Sequence, residues 1–378
     1  MPRLTLPDAS GRLAPYALSG RAIAAPAGRS WPRIAYAAAH VVADPLAAID
    51  WDATMAYRRH LWGLGFRIAE AMDTSQRGMG FDWTNAQELI RRSLAEAHGI
   101  PGADLASGAG TDHLAPGSAK SLDDVIAAYA AQVGFVEGQG GRVILMASRE
   151  LARIARGADD YLQVYGEILR QASRPVILHW LGEMFDPALA GYWGSADDAV
   201  AAETVLQLIA AHAAKIEGIK ISLLDAGKEI AFRRHLPKGV LMFTGDDFNY
   251  PDLIAGDAHG YSHALLGIFD AIAPAAAAAL GALGAGDMAA YRAAFDPTVP
   301  LSRRIFEAPT QYYKAGIVFL AWLNGFQRHF TMLGGMQSAR GILHYADIFR
   351  LADQAGLLRD PELAGGRMKA LLSLHGIG

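Results

Sequence analysis

Eight short apolar runs, each separated from the next by a helical stretch, set the strongest constraint on what this 378-residue chain can fold into. The runs read as strands are Arg33–His40, Arg67–Met72, Asp104–Ala109, Arg142–Ala147, Pro175–Trp180, Gly218–Ile221, Val240–Thr244 and Ala258–Ser262. Between them, residues 51–63, 84–97, 121–136, 159–172, 197–214, 226–235 and 248–255 carry the apolar spacing of amphipathic helices. Ser121 and Ser195 stand where helix N-caps belong. Strand and helix alternating in this way over about 230 residues predict a (β/α)8 barrel. An open doubly wound sheet is the alternative, but no G-x-G-x-x-G follows the first run.

The flanks read differently. Residues 1–30 are rich in Pro, Gly and small side chains, which predicts an N-terminal arm or hairpin. Residues 31–264 are the expected barrel, and residues 265–378 the last barrel helix and a C-terminal helical extension, because no strand-like run alternates there. In that extension Tyr312, Tyr313, Phe319, Trp322 and Phe326 recur at helical spacing, the pattern of a core or a subunit interface.

With 52% hydrophobic and 19% charged residues the chain can bury a large core. A net charge of −4 without a dense Lys/Arg tract argues against a nucleic-acid or polybasic membrane partner. Cysteine is absent, which excludes disulfides, thiolate catalysis and Cys-ligated metals and fits a cytoplasmic setting. The N-terminus has no apolar signal-peptide core, and the alanine runs are too short to span a bilayer.

Lys and Arg together number 34, yet only seven are lysines. One of them, Lys220, sits in the middle of the apolar run Ile216–Ser222, IEGIKIS, where burying a charge is costly. In a barrel this is the C-terminal end of the sixth strand, the end at which barrel enzymes carry their active sites. Desolvation there lowers the amine pKa and frees it to attack a carbonyl and form an imine. The alternative is a strand-end lysine paired with Asp225 or Glu183.

The order Gly218-Ile219-Lys220, then Thr244-Gly245-Asp246-Asp247, then Gly256-Asp257-Ala258-His259-Gly260-Tyr261-Ser262 resembles the dihydrodipicolinate synthase/N-acetylneuraminate lyase family of class I aldolases. More thinly, the resemblance covers most of residues 30–330. It implies that Lys220 is the Schiff-base lysine, that the substrate is a 2-keto acid or keto-sugar acid, and that neither cofactor nor metal is needed. It also implies a homo-oligomer, dimer or tetramer.

Asp73-Thr74-Ser75-Gln76-Arg77 stands where the family has its G-T-T-G-E loop, so Thr74 and Ser75 are expected to hold the substrate carboxylate, with Asp73 beside them. Arg77 would add charge there, or be a surface or interface residue. His179 occupies the place of the family's proton-relay tyrosine, and histidine does acid–base work near neutral pH. Otherwise it is a structural histidine. Trp180 beside it suggests a differently shaped, sugar-stacking pocket. At the fourth strand's end Ser148 and Arg149 replace the second relay tyrosine. Arg149 would read an acidic or hydroxylated substrate tail, or else simply start a helix. Asp246 would bound the pocket, and Tyr261 completes the substrate-binding set.

The expected activity is therefore carbon–carbon or carbon–oxygen lysis through an imine, as an aldolase or dehydratase of carbohydrate metabolism. The runner-up is a metal-dependent sugar isomerase or epimerase using Asp73, His113, Glu183 and His179, although no H-x-H or H-E-x-x-H spacing supports it. A third reading is a barrel that binds a sugar acid without turning it over.

Overall fold

The computed structural model describes residues 3–23 and 31–377, so residues 1, 2 and 24–30 of the expected arm lie outside the described residues. The chain forms two compact units. One comprises Arg33–Ala39 and Arg67–Leu266. The other comprises His40–Phe66 and Gly267–Gly378 together with the N-terminal residues to Pro32.

The second unit begins with an antiparallel hairpin of β1 (Arg3–Pro7) and β2 (Leu13–Ala17). The Asp8 carboxylate closes its turn by accepting from the Ser10 and Arg12 N–H groups. The same unit holds α1 (Trp51–Leu64), capped at its start by the Asp50 carboxylate and ended by Gly65 at φ 103°.

The first unit is a closed parallel barrel. Its strands are β3 (Ala35–Ala38), β4 (Arg67–Glu70), β5 (Leu105–Ala109), β6 (Arg142–Leu145), β7 (Val176–Leu181), β8 (Ile216–Ser222), β9 (Leu241–Thr244) and β10 (His263–Leu266). Each pairs with the next, and β10 returns to β3. Between them run α2 (Trp83–His98), α3 (Leu122–Gly138), α4 (Arg149–Ile154), α5 (Ala158–Gln171), α6 (Asp198–His212), α7 (Ala226–Arg233) and α8 (Tyr250–Ala255). Ser121 caps α3 in a full capping box with Asp124. The N-cap of α6 is Asp197, not the expected Ser195.

Alternate strand residues face the lumen. Tyr36, Ala69, Ala106, Ile144, Ile177, Phe243 and Leu265 meet there and fill it, with Tyr36 and Phe243 edge to face at 5.8 Å. Each large side chain buried in this plug stabilises the barrel by about 1.5–3 kcal/mol. Gly218 makes room for it, because a Cβ at that position would lie 2.5 Å from the Leu241 carbonyl oxygen and 2.7 Å from the Phe243 ring. At the strand starts, Arg67 pairs with Asp104 at 3.2 Å, and Arg142 pairs with Asp104 at 2.8 Å and with Glu217.

The expected barrel with an N-terminal arm and a C-terminal helical extension is the fold found, and seven of the expected strands overlap those observed. The eighth does not. Residues 256–260 form a turn, with the Asp257 carboxylate accepting from the His259 and Gly260 N–H groups and Gly256 at φ 86°, so the strand begins only at His263.

After the barrel come α9 (Ile268–Ala271), α10 (Ala273–Gly284), α11 (Met288–Phe295), α12 (Val299–Ile305), α13 (Tyr313–Leu323), α14 (Ile342–Gln354) and α15 (Pro361–Leu374). Three of the five stripe aromatics are core here. Tyr313, Phe319 and Trp322 are buried, and Phe319 and Trp322 pack with Phe330. Among the described residues no helix is long and apolar enough to cross a membrane.

Candidate active site

Strands β7 and β8 bring the two main candidates together. Their register pairs His179 with Lys220 and Leu181 with Ser222, on the lumen face, while Trp180 pairs with Ile221 on the outer face. Lys220 is only 6% exposed, and its amine has no hydrogen bond or ion pair among the described residues. Burial pushes its ammonium pKa below the usual lysine range, and the negative charges of Asp73 and Asp247 offset this only in part. The result is an amine held nearer to its neutral, nucleophilic form.

His179 is buried with Nε2 at 3.2 Å from Ser222 Oγ, and its Nδ1 has no partner. Burial, and then the neighbouring Lys220 charge, hold its imidazole well below the ordinary pKa, so it stays neutral at neutral pH. A neutral imidazole with an unused nitrogen can take up a proton. Gly245, at the end of β9, closes over the lysine stem. A Cβ there would lie 2.2 Å from Ser222 Oγ and 2.7 Å from both Lys220 Cε and the Ile221 carbonyl oxygen.

Beside this pair, at the C-terminal ends of β4 to β7, opens a cavity of about 310 Å³. Asp73, Thr111, Arg149, His179 and Asp186 line it. Arg149 binds the Asp186 carboxylate through Nε at 2.5 Å, and its two terminal nitrogens have no partner among the described residues. It lies close over Gly78, whose φ of +72° a side chain would not tolerate. Thr111 Oγ1 and Ser148 Oγ hydrogen-bond at 2.6 Å, and Ser148 accepts the Leu151 N–H as the cap of α4. Arg149 is thus both a helix-start residue and a guanidinium available to an anion.

Other expected site residues are differently employed. Asp73, Thr74 and Ser75 form one short 3-10 turn after β4. The Ser75 hydroxyl donates to the Ala39 carbonyl at 3.1 Å, and the Ser75 and Gln76 N–H groups are spent on Met72 and Asp73, so Ser75 has no donor left for a carboxylate. Thr74 is buried in the same turn. Arg77 is a structural tie. It reaches both Asp112 oxygens, the Ala71 and Gly108 carbonyls and the Gln132 amide oxygen, and it stacks on Trp83.

Asp246 folds back to accept from the Phe248 and Asn249 N–H groups and the Asn249 amide, and its neighbour Asp247 is the one whose charge reaches Lys220. Tyr261 is 45% exposed and stacks under Arg33, just before β3, at the strand-start end of the barrel and away from the cavity. Trp180 faces outward onto Phe232 at 6.1 Å, so it offers no stacking surface to the lumen. Among the described residues no three His, Asp or Glu side chains converge as a metal site would need. His113 of the metal-type set is hydrogen-bonded to Gln132, and Asp112 beside it is committed to Arg77.

Residues that reading the sequence passed over are Ser222, Asp247 and Gly245. Ser222 follows Lys220 by two positions on one strand, and that spacing alone puts it on the same face. Gly245 and Asp247 belong to the Thr244-Gly245-Asp246-Asp247 motif, but their approach to Lys220 depends on how the β9 turn lies against β8.

No curated protein matches the chain. Solved structures match its fold. They include the dihydrodipicolinate synthase of Thermotoga maritima, with 16% identity and a TM-score of 0.65 over 86% of this chain and 99% of that one. A second is YagE, a prophage protein of the dihydrodipicolinic acid synthase family from E. coli K12, with 11% identity and a TM-score of 0.65 over 92% of this chain and 100% of that one. A third is a dihydrodipicolinate synthase of Bacillus anthracis, with 15% identity and a TM-score of 0.63 over 86% and 98%. These likenesses bear out the fold that the motif order suggested. The family described as "Protein of unknown function (DUF993)" matches residues 4–377, and the chain belongs to that family.

Proposed function

We propose that the chain is a class I lyase in which Lys220 forms an imine with the carbonyl of a 2-keto acid or keto-sugar acid. One observation carries the reading: a lysine amine buried at the C-terminal end of a barrel strand, without a partner among the described residues, its pKa pushed down by burial. The neutral amine attacks the carbonyl carbon, and loss of water leaves a C=N bond. The protonated imine then accepts the electron pair released when the bond β to it breaks, and the enamine formed is reprotonated. His179, neutral and with a free nitrogen, moves the proton. The terminal nitrogens of Arg149 bind the acid group or tail of the substrate at the cavity rim. Thr74 remains the hydroxyl candidate of the β4 turn, with Ser75 a packing residue.

The fold supports this reading, since YagE was solved in complex with pyruvate. Borohydride added in the presence of pyruvate, and then of a panel of keto-sugar acids, should reduce the imine and add the ligand's mass at Lys220. Lys220→Ala should show no adduct and no turnover. An unmodified Lys220, together with activity retained in Lys220→Ala, refutes the mechanism. Ligand binding without trapping or turnover would instead favour a binding barrel.

A further inference from the structure

The larger opening in the barrel unit is not the one beside Lys220. Between α6 and α7, on the outer side of β7 and β8, lies a groove of about 670 Å³, a volume suited to a small organic ligand. Its walls are kept apart by small residues, Ala199 and Ala202 on α6 and Ala231 on α7. Its floor is Trp180 with Ile221, and Phe232 meets the indole at 72°. The Trp180 indole is 97% buried by its 3% exposure and lines the groove, yet it has no hydrogen-bond partner among the described residues.

The rim is acidic. Asp197, Asp198 and Glu203 face the groove against one ammonium, that of Lys228, which is already paired with Asp198 at 2.7 Å. Glu203 has no ion pair among the described residues. His235 also borders the groove. The unpaired carboxylate of Glu203 at the rim attracts a cation, while the apolar floor and walls take a hydrocarbon body. Together with the apolar walls, these features select an ammonium group on a small apolar body.

We infer that this groove is a binding site for a small amphipathic amine, separate from the lumen. The strand pair is the partition: His179 and Lys220 face one side of it, Trp180 and Ile221 the other. The site therefore stands whether or not Lys220 forms an imine.

Calorimetric titration of the full chain with 2-phenylethylamine, 2-phenylethanol and phenylacetate separates charge from shape, since the three share one ring. The amine is expected to bind about fivefold more tightly than the alcohol, with phenylacetate weakest. Glu203→Gln should narrow the gap between amine and alcohol while leaving the alcohol unchanged. Ala231→Phe should fill the groove and abolish binding of all three. Absence of heat at millimolar ligand, or binding that survives Ala231→Phe, overturns the site. Equal binding of amine and phenylacetate overturns the ligand class. If Ala231→Phe instead disperses an oligomer in sedimentation, the groove is covered by a second copy and the inference fails. Should Ala231→Phe not fold, the Glu203→Gln titration still decides the charge preference.

Discussion

Gly245→Ala tests whether the candidate site is built by close packing around the lysine stem. The new methyl would sit 2.2 Å from Ser222 Oγ and 2.7 Å from Lys220 Cε and the Ile221 carbonyl oxygen. The two side-chain atoms can swing away, but the carbonyl is fixed by the Gly245 N–H that it accepts at 2.8 Å. That contact is about 0.7 Å short of ordinary van der Waals distance, so β9 must retreat from β8, at about 1–3 kcal/mol for overpacking. Displacing Lys220 Cε by a similar distance should slow borohydride trapping by about 10- to 100-fold. Urea unfolding gives the first quantity, and mass-resolved trapping with pyruvate the second. A double mutant adds an internal check. Ser222→Ala removes the nearest obstructing atom, so Gly245→Ala should be milder on that background by about 0.5–1 kcal/mol. A Gly245→Ala protein with unchanged urea midpoint and unchanged trapping rate would refute the packing argument.

Two further outcomes follow from buried ionisable groups. Lys220→Met replaces a buried, unpaired amine by an apolar chain of similar length, and should raise stability by about 1 kcal/mol or more while abolishing the adduct. A destabilised Lys220→Met in urea melts would mean that the amine is satisfied in a way the geometry does not reveal. Glu229 on α7 is buried with Oε2 unpartnered while Oε1 accepts from Ser262 Oγ at 2.6 Å, and burial pushes its pKa up from 4.5 to about 8. A carboxyl raised in this way contributes stability that is present below pH 4.5 and lost as pH rises through about 8. Glu229→Gln removes that dependence, so its stability relative to wild type should climb by up to about 3 kcal/mol between pH 5 and pH 8. A constant difference across that range would place the Glu229 pKa near its ordinary value.

The barrel was legible because its signal is repetition. Seven apolar runs at regular spacing outvote any error at one of them. The eighth shows what such reading cannot weigh: Gly-Asp-Ala-His-Gly carries turn chemistry, and the strand proper is the His-Ala-Leu-Leu after it. Within the site, Lys220 stands out because a charge interrupts an apolar strand, and His179 because of its motif position. Their pairing across β7 and β8 is a matter of register between segments 41 residues apart. Trp180 could have been assigned outward from strand alternation alone, given His179 inward. Ser75 and Arg77 are different, since their partners Ala39, Gly108, Asp112 and Gln132 come from other elements, and only the assembled barrel shows their donors to be spent.

The plug of Tyr36, Ile177, Phe243 and Leu265 has a kinetic consequence for imine chemistry. It fills the lumen beneath Lys220, whose strand partner Phe243 belongs to the plug, so a molecule reaching the amine would come and go by the C-terminal end of the strands. A substrate tethered at the lysine and split there would leave its outer fragment nearer the exit. If Lys220 forms the proposed imine, departure is put in order: the untethered piece leaves first, and the piece on Lys220 leaves only after reprotonation of the enamine and hydrolysis of the imine. A condensation run in reverse must load in the opposite order, with the keto acid entering before its partner.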